Sequence, residues 1–184
     1  MPTYFESGKI IDKVGEVSLY DFDGELYLDI SGQLWMSSHE REEVERQISN
    51  KPKGDCLELG LGLGIASYII IKQGSVKSLT TVEINKDVID LYYKSMEGLL
   101  WPNHKIVQGN CLDYLVMVGQ TKKRFDFVFI DFYSIIDEDT LPDIEASIRL
   151  SKKILNTNGE VVAWFDTSTP DENAERFWNA IKRI

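Results

Sequence analysis

The chain has 184 residues, 43% of them hydrophobic, and its 20 Lys and Arg against 30 Asp and Glu give a formal net charge of −10. This length suits one globular protein with a single sizeable core. The acidic balance repels phosphate backbones and argues against a nucleic-acid partner. No apolar run approaches the ~20 residues needed to span a bilayer, so no membrane association is expected.

The cysteines and the N-terminal residues bear on the cellular compartment. Cys56 and Cys111 do not stand in a metal-ligand spacing and are expected to be reduced thiols. The opening MPTYFESGKIIDK lacks the charged-then-apolar order of a signal peptide. The sequence therefore predicts a cytoplasmic protein.

Residues 1–50 predict a small N-terminal β-hairpin unit followed by a helix. Residues 25–30 (ELYLDI) and 33–36 (QLWM) alternate apolar and polar side chains, which predicts two strands joined by a tight turn. SSHE at residues 37–40 offers a capping box, in which a hydroxyl is followed three residues later by a carboxylate. We expect a helix from there to about Ile48.

Residues 51–184 predict a second unit, in which strands alternate with helices. A helix that carries Ile144 and Ile148 on one face is expected to end near Asn158-Gly159, and a last helix should run from Pro170 to about 182. Alternating strands and helices indicate an α/β, Rossmann-like parallel sheet covered on both faces. Its expected five strands are residues 56–60, 79–84, 105–109, 125–131 and 160–165.

A glycine loop follows the first strand of this unit. Gly60, Gly62 and Gly64 stand at alternate positions in the GxGxG order, which differs from the GxGxxG order of dinucleotide-binding folds. Glycines let the backbone approach a ligand closely, and the free N–H groups of the next helix suit a carboxylate or phosphate. The alternative is a buried turn that binds nothing.

Polar residues are expected at the ends of three further strands. Glu83, at the tip of the second strand, can accept both hydroxyls of a ribose, although exposed acids are common at strand ends. Asn110 and Cys111 follow the third strand, where an amide oxygen and a backbone N–H suit an adenine ring. Asp131 closes the fourth strand beside the glycine loop, where it either contacts a ligand or caps the following turn.

These segments together resemble the successive motifs of class I S-adenosylmethionine-dependent methyltransferases, and within them most resemble the spermidine synthase group. The resemblance covers about residues 52–182 and is carried by LELGLGLG, TTVEIN, VQGNCLDYL and FDFVFIDFYS. LDISGQL, at residues 28–34, also resembles the segment in which the synthase group places a ligand-contacting glutamine.

The resemblance implies a role for each candidate residue. Asp131 corresponds to the first acid of the synthase Asp-Ser-Ser-Asp pattern and would be the catalytic residue. Glu58 would support the glycine loop or reach the amino group of the ligand. The implied S-adenosylmethionine-binding residues are Gln33, Glu58, Gly60, Gly62, Gly64, Glu83, Asn110 and Cys111.

Departures from the synthase pattern favour the intact cofactor. Synthases carry an Asp inside the glycine loop that recognises the amine of decarboxylated S-adenosylmethionine, and this chain has Leu63 there. Ser134 replaces the second acid of the Asp-Ser-Ser-Asp pattern. The sequence therefore predicts methyl transfer from S-adenosylmethionine to a small-molecule acceptor. The alternatives are aminopropyl transfer and a nucleoside-binding module without turnover.

Two further expectations concern metal and assembly. Asp131 and Asp166 resemble two ligands of magnesium-dependent O-methyltransferases, but Thr167 stands where an Asn should follow, so no metal is expected. Full class I methyltransferases continue past the fifth strand with a helix and two more strands, for which this chain has no residues left. The fifth strand would then be an apolar edge, covered by the hairpin unit or, as we favour, in a homodimer.

Overall fold

The computed structural model describes residues 4–95 and 101–182. After a short helix, α1 (Tyr4–Ser7), the chain forms a four-stranded antiparallel sheet in the order β1-β2-β3-β4. Its strands are β1 (Lys9–Val14), β2 (Val17–Phe22), β3 (Glu25–Ile30) and β4 (Gln33–Ser37). The predicted hairpin is β3–β4. The unit is larger than predicted, because β2 is buried at four successive positions and so lacks the alternation that marks a half-buried strand.

The turn between β3 and β4 and the predicted capping box are both confirmed. Ser31 and Gly32 have φ angles of 55° and 84°, which a two-residue turn between right-twisted strands requires. The backbone N–H of Ser37 donates to Glu40 at 2.9 Å. The capping box opens a 3₁₀ turn (Ser38–Glu40), and α2 (Arg41–Ile48) continues from it.

The rest of the described chain forms the predicted Rossmann-like parallel sheet, in the order β7-β6-β5-β8-β9. The middle strands are buried on both faces, which explains runs such as FDFVFI in β8. In chain order the elements are β5 (Gly54–Leu59), α3 (Ile65–Ile71), β6 (Val76–Glu83), α4 (Lys86–Ser95), β7 (His104–Gln108), α5 (Cys111–Gly119), β8 (Phe125–Ile130), α6 (Leu141–Lys153), β9 (Leu155–Ala163) and α7 (Asp171–Lys182).

The predicted end of α6 near Asn158-Gly159 is wrong. The helix ends at Lys153, and β9 begins at Leu155. Asn158 has a φ of 68° and lies in an irregularity of β9, where the pairing with β8 shifts between Phe125 and Phe127. An Asn-Gly pair suits any left-handed backbone position, and here that position interrupts a strand instead of ending a helix.

The N-terminal sheet packs on α4 and on the glycine loop. Val17 and Leu28 are buried in one cluster with Val88 and Leu91 of α4 and with Leu61 of the loop. Because the two sheets share this cluster, the division of the chain at residue 50 stays a prediction. No helix among the described residues is both long and apolar enough to cross a membrane.

Candidate ligand-binding site

A cavity of about 200 Å³ lies at the carboxyl ends of the central parallel strands. The strand order reverses between β5 and its two neighbours, β6 and β8, and such switch points are where open α/β sheets bind ligands. The cavity is lined by Ile30, Trp35, Gly60, Leu61, Gly62, Val82, Glu83, Ile84, Asn85, Cys111, Asp131 and Phe132. The N-terminal sheet supplies the first two of these residues and so forms one wall.

The glycine loop requires its glycines for reasons of space and backbone conformation. Gly60 has a φ of 99°, and a Cβ there would lie 2.1 Å from the backbone oxygen of Asp131. Gly64 has a φ of 73°, and its Cβ would lie 2.4 Å from a ring carbon of Tyr92. Gly60 and Gly62 line the cavity, while Gly64 precedes α3 and packs against α4. The loop thus passes close to β8 on one side and to α4 on the other.

Glu83 ties the glycine loop to the end of β6. Its side chain lines the cavity and is 9% exposed. Oε2 accepts the backbone N–H of Leu61 at 3.0 Å, and Oε1 accepts the backbone N–H of Asn85 at 2.8 Å. A carboxylate has about four acceptor positions, so each oxygen retains one for a ligand hydroxyl.

Glu58 lies beneath the glycine loop and is not among the cavity-lining residues. It is 1% exposed, and its Oε2 accepts hydrogen bonds from the hydroxyls of Ser67 and Thr81. Burial raises the pKa of the Glu58 carboxyl to about 7, although those two hydrogen bonds act in the opposite direction. In this arrangement Glu58 supports the loop.

Asp131 follows β8 and lines the cavity on the side opposite Glu83. Burial is the largest cause that raises the pKa of its carboxyl well above the usual value, and the nearby carboxylates of Glu40 and Glu58 add to it. A carboxylate whose pKa is raised is, once ionised, a stronger base than an ordinary Asp. The position of Asp131 in the cavity and its raised pKa make it a candidate general base.

Asn110 and Gln33, like Glu58 and Gly64, are not among the residues that line the cavity. Asn110 caps α5, and its side-chain oxygen accepts the backbone N–H groups of Leu112 at 2.8 Å and Asp113 at 3.2 Å. Gln33 is exposed at the start of β4. Cys111, which follows Asn110, does line the cavity and is buried there, where burial raises the pKa of its thiol to about 12. The thiol is therefore protonated at neutral pH.

Sequence reasoning missed the apolar residues of the cavity. Ile84 and Phe132 each directly follow a strand-end acid, so their place in the chain could have identified them. Trp35 could not be assigned by alternation. The pairing of β3 with β4 shifts between Leu28 and Asp29, so that Trp35 is an extra residue in β4 and the two-residue period is broken there.

The side chain of Asp166 is hydrogen-bonded to a residue of its own loop. Its carboxylate accepts the backbone N–H of Ser168 at 2.8 Å and the hydroxyl of the same residue at 2.6 Å. Within residues 4–95 and 101–182, no group of three or more His, Cys, Asp and Glu side chains is arranged to hold a metal ion.

Solved structures show which proteins share this fold. Spermidine synthase from Thermotoga maritima aligns over 95% of this chain and 62% of its own, with a TM-score of 0.69 and 20% identity. SMU.776, a protein proposed to be a methyltransferase and solved with SAH, aligns over 94% of this chain and 47% of its own, with a TM-score of 0.64 and 21% identity. The N-methyltransferase NodS from Bradyrhizobium japonicum WM9 aligns over 77% of this chain and 80% of its own, with a TM-score of 0.53 and 15% identity.

No protein-family model matches the chain, and no curated protein matches it in sequence. The chain spans about three fifths of the length of the Thermotoga spermidine synthase and about half that of SMU.776. At these identities the likeness concerns the backbone architecture. The chain shares its fold with the Thermotoga spermidine synthase, SMU.776 and NodS.

Proposed function

We propose that the chain binds S-adenosylmethionine and transfers its methyl group to a small-molecule acceptor. The observation that carries this proposal is the cavity at the switch point, where the glycine loop, Glu83 and Asp131 converge. Structures of the same fold have been solved with SAH, the demethylated form of this cofactor.

The residues present fit this cofactor. Glu83 retains acceptor positions for two ribose hydroxyls, and Leu61 and Gly62 leave space for the chain that links ribose and amino acid. Three acidic side chains, Glu58, Glu83 and Asp131, lie at or beneath the site, and none of the described residues that line the cavity is basic. This composition suits a ligand with a positive sulfonium. Asn110 caps α5 through its oxygen, so its free amide N–H₂ is the group that would face an adenine acceptor.

The proposed chemistry requires little beyond alignment and a base. When bound, the cofactor supplies an electrophilic methyl group on its sulfonium. Orienting the acceptor against that methyl removes about 7–11 kcal/mol of the barrier. Asp131 takes the proton that the acceptor atom loses, and Trp35 and Phe132 supply apolar surface to the cavity.

A second candidate function, aminopropyl transfer, is favoured by one observation. The Thermotoga spermidine synthase aligns over 95% of this chain, and this share includes most of the N-terminal sheet. Against it stand Leu63 and Ser134, which replace the two acids that the synthase pattern would use for amines.

Calorimetry with three ligands separates the candidates. We expect S-adenosylmethionine and S-adenosylhomocysteine to bind more tightly than decarboxylated S-adenosylmethionine. Tighter binding of the decarboxylated form would favour aminopropyl transfer. Binding without product from any acceptor tested would favour a nucleoside-binding module, and binding of none of the three ligands would reject the proposal.

A further inference from the structure

A chain of hydrogen-bonded side chains runs beneath the glycine loop from α4 to β5. The pairing of β5 with β6 sets Glu58 directly beside Thr81, and both are buried. The hydroxyls of Ser67 and Thr81 reach Oε2 of Glu58. The same Thr81 hydroxyl lies 2.8 Å from Nε2 of His104, and Nδ1 of His104 lies 3.5 Å from the hydroxyl of Tyr92.

The direction of each hydrogen bond follows from the chemistry of the groups. An ionised carboxylate only accepts hydrogen bonds, so the single O–H of Thr81 donates to Glu58. The Thr81 oxygen must then accept from Nε2–H of His104, which leaves Nδ1 as the acceptor for Tyr92. This order requires a neutral imidazole, and burial lowers the pKa of His104 to about 4. Ser67 and Thr81 therefore donate to Glu58. His104 donates to Thr81, and Tyr92 donates to His104.

The hydrogen bonds to the Glu58 carboxyl nevertheless reach only one of its two oxygens. Its second oxygen, Oε1, is buried and has no hydrogen-bond partner among the described residues. Tyr92 of α4 also lies against Gly64, so the chain of hydrogen bonds reaches the glycine loop at its Tyr92 end. The titratable groups that face Glu58 from the surrounding elements are Cys56 on β5, Glu83 on β6, Tyr92 on α4, His104 on β7 and Asp131 after β8.

We propose that Thr81 and His104 are positioning residues, which keep Glu58 ionised beneath the glycine loop so that the site prefers a sulfonium ligand to the neutral thioether. This inference rests on the proposed function. Without the Thr81 hydroxyl, the buried carboxyl would hold its proton, and the site would lose one negative charge close to Gly60. The positive ligand would then lose affinity, while the neutral one would not.

The test compares affinities for S-adenosylmethionine and S-adenosylhomocysteine by calorimetry at pH 6, 7 and 8. Because burial raises the pKa of Glu58 to about 7, the wild-type preference for the sulfonium should grow as pH rises through this range. Thr81→Val keeps the shape and removes the hydroxyl. If this raises the pKa of Glu58 by about one unit, the ionised fraction at pH 7 falls from about one half to about one tenth, so the preference should fall about fivefold. Thr81→Ser retains the hydroxyl and should preserve the preference.

If Thr81→Val does not fold, two further measurements still test the proposal. Glu58→Gln should lower the preference and remove the part of its pH dependence that comes from Glu58. The wild-type pH series needs no variant at all. A preference that is flat with pH, or that is the same in Thr81→Val and Thr81→Ser, would overturn the charge-selection proposal while leaving the proposed function intact. Failure of both ligands to bind the wild-type protein would overturn both.

Discussion

The side-chain amide of Gln47 pairs with both backbone groups of Phe165. Its Oε1 accepts the N–H at 3.0 Å, and its Nε2 donates to the C=O at 2.9 Å. Phe165 lies just beyond β9, the edge strand of the parallel sheet. One side chain of α2 thus forms the pair of bonds that a neighbouring strand would form, and it fixes the segment that leads to Asp166.

Gln47→Leu should destabilise the protein by about 1–3 kcal/mol, because it leaves both backbone groups of Phe165 without a protein partner. Chemical denaturation measures the change. Gln73→Leu is the matched control, since the Gln73 side chain makes only a long local bond, at 3.4 Å, to the oxygen of Ile69. Equal effects of the two substitutions would show that the Gln47 pairing contributes nothing.

Replacement of Glu83 should weaken cofactor binding. Glu83→Ala removes the acceptor that we assign to the ribose hydroxyls and also releases the N–H of Leu61, so affinity should fall by about 1–3 kcal/mol. Glu138→Ala, at an exposed acid in the loop after β8, is the control. If a folded Glu83→Ala variant binds S-adenosylhomocysteine as the wild type does, the ribose assignment is wrong.

Leu63→Asp should move ligand preference from S-adenosylmethionine toward its decarboxylated form. An acid in the glycine loop repels the carboxylate of the intact cofactor and attracts the free amine of the other. Competition binding with both ligands measures the shift, with Leu63→Asn as the uncharged control. An unchanged ratio would mean that the loop does not pack around the amino-acid end of the cofactor.

Gly60→Ala should cost about 2–4 kcal/mol of stability, because a Cβ would lie 2.1 Å from the backbone oxygen of Asp131 at a φ of 99°. Gly74→Ala is the control, since a Cβ there would meet nothing within 4 Å. Thermal unfolding of both variants checks this. A Gly60→Ala variant as stable as Gly74→Ala would contradict the close approach of the loop to β8.

The pH dependence of stability should reveal two opposing groups. The pKa of Glu58 is raised from 4.5 to about 7, so the folded protein holds an extra proton and stability falls as pH rises from 4.5 to 7. The pKa of His104 is lowered from 6.5 to about 4, so stability rises as pH rises from 4 to 6.5. The two slopes oppose each other between pH 4.5 and 6.5, while Asp131, whose pKa is also raised, adds to the slope of Glu58.

Glu58→Gln removes one of these slopes. As pH rises from 4.5 to 6.5, the free energy of unfolding of this variant should therefore increase relative to that of the wild type. Urea denaturation across that range measures both proteins. Parallel curves for the two proteins would exclude Glu58 as the compensating group.

Much of the parallel sheet could be predicted from the sequence, since buried apolar runs and strand-end acids mark β5, β6 and β8 directly. The cavity wall that the N-terminal sheet supplies could not, because the extra residue at Trp35 breaks the alternation that assigns faces. The position of Asn110 in the sequence is compatible with two different roles. An Asn before a helix is an N-cap as well as an adenine acceptor, and only the geometry shows that its oxygen is used for the cap.

The order of the strands has a consequence for the folding pathway. The N-terminal sheet is a meander in which each strand pairs with the next along the chain, so it needs only short loop closures. β5 must instead pair with β8, which follows two further strands and three helices. We therefore expect the N-terminal sheet, which carries Trp35, to form early. The pairing of β5 with β8, which brings Gly60 against Asp131, should form last, in the slow phase of refolding.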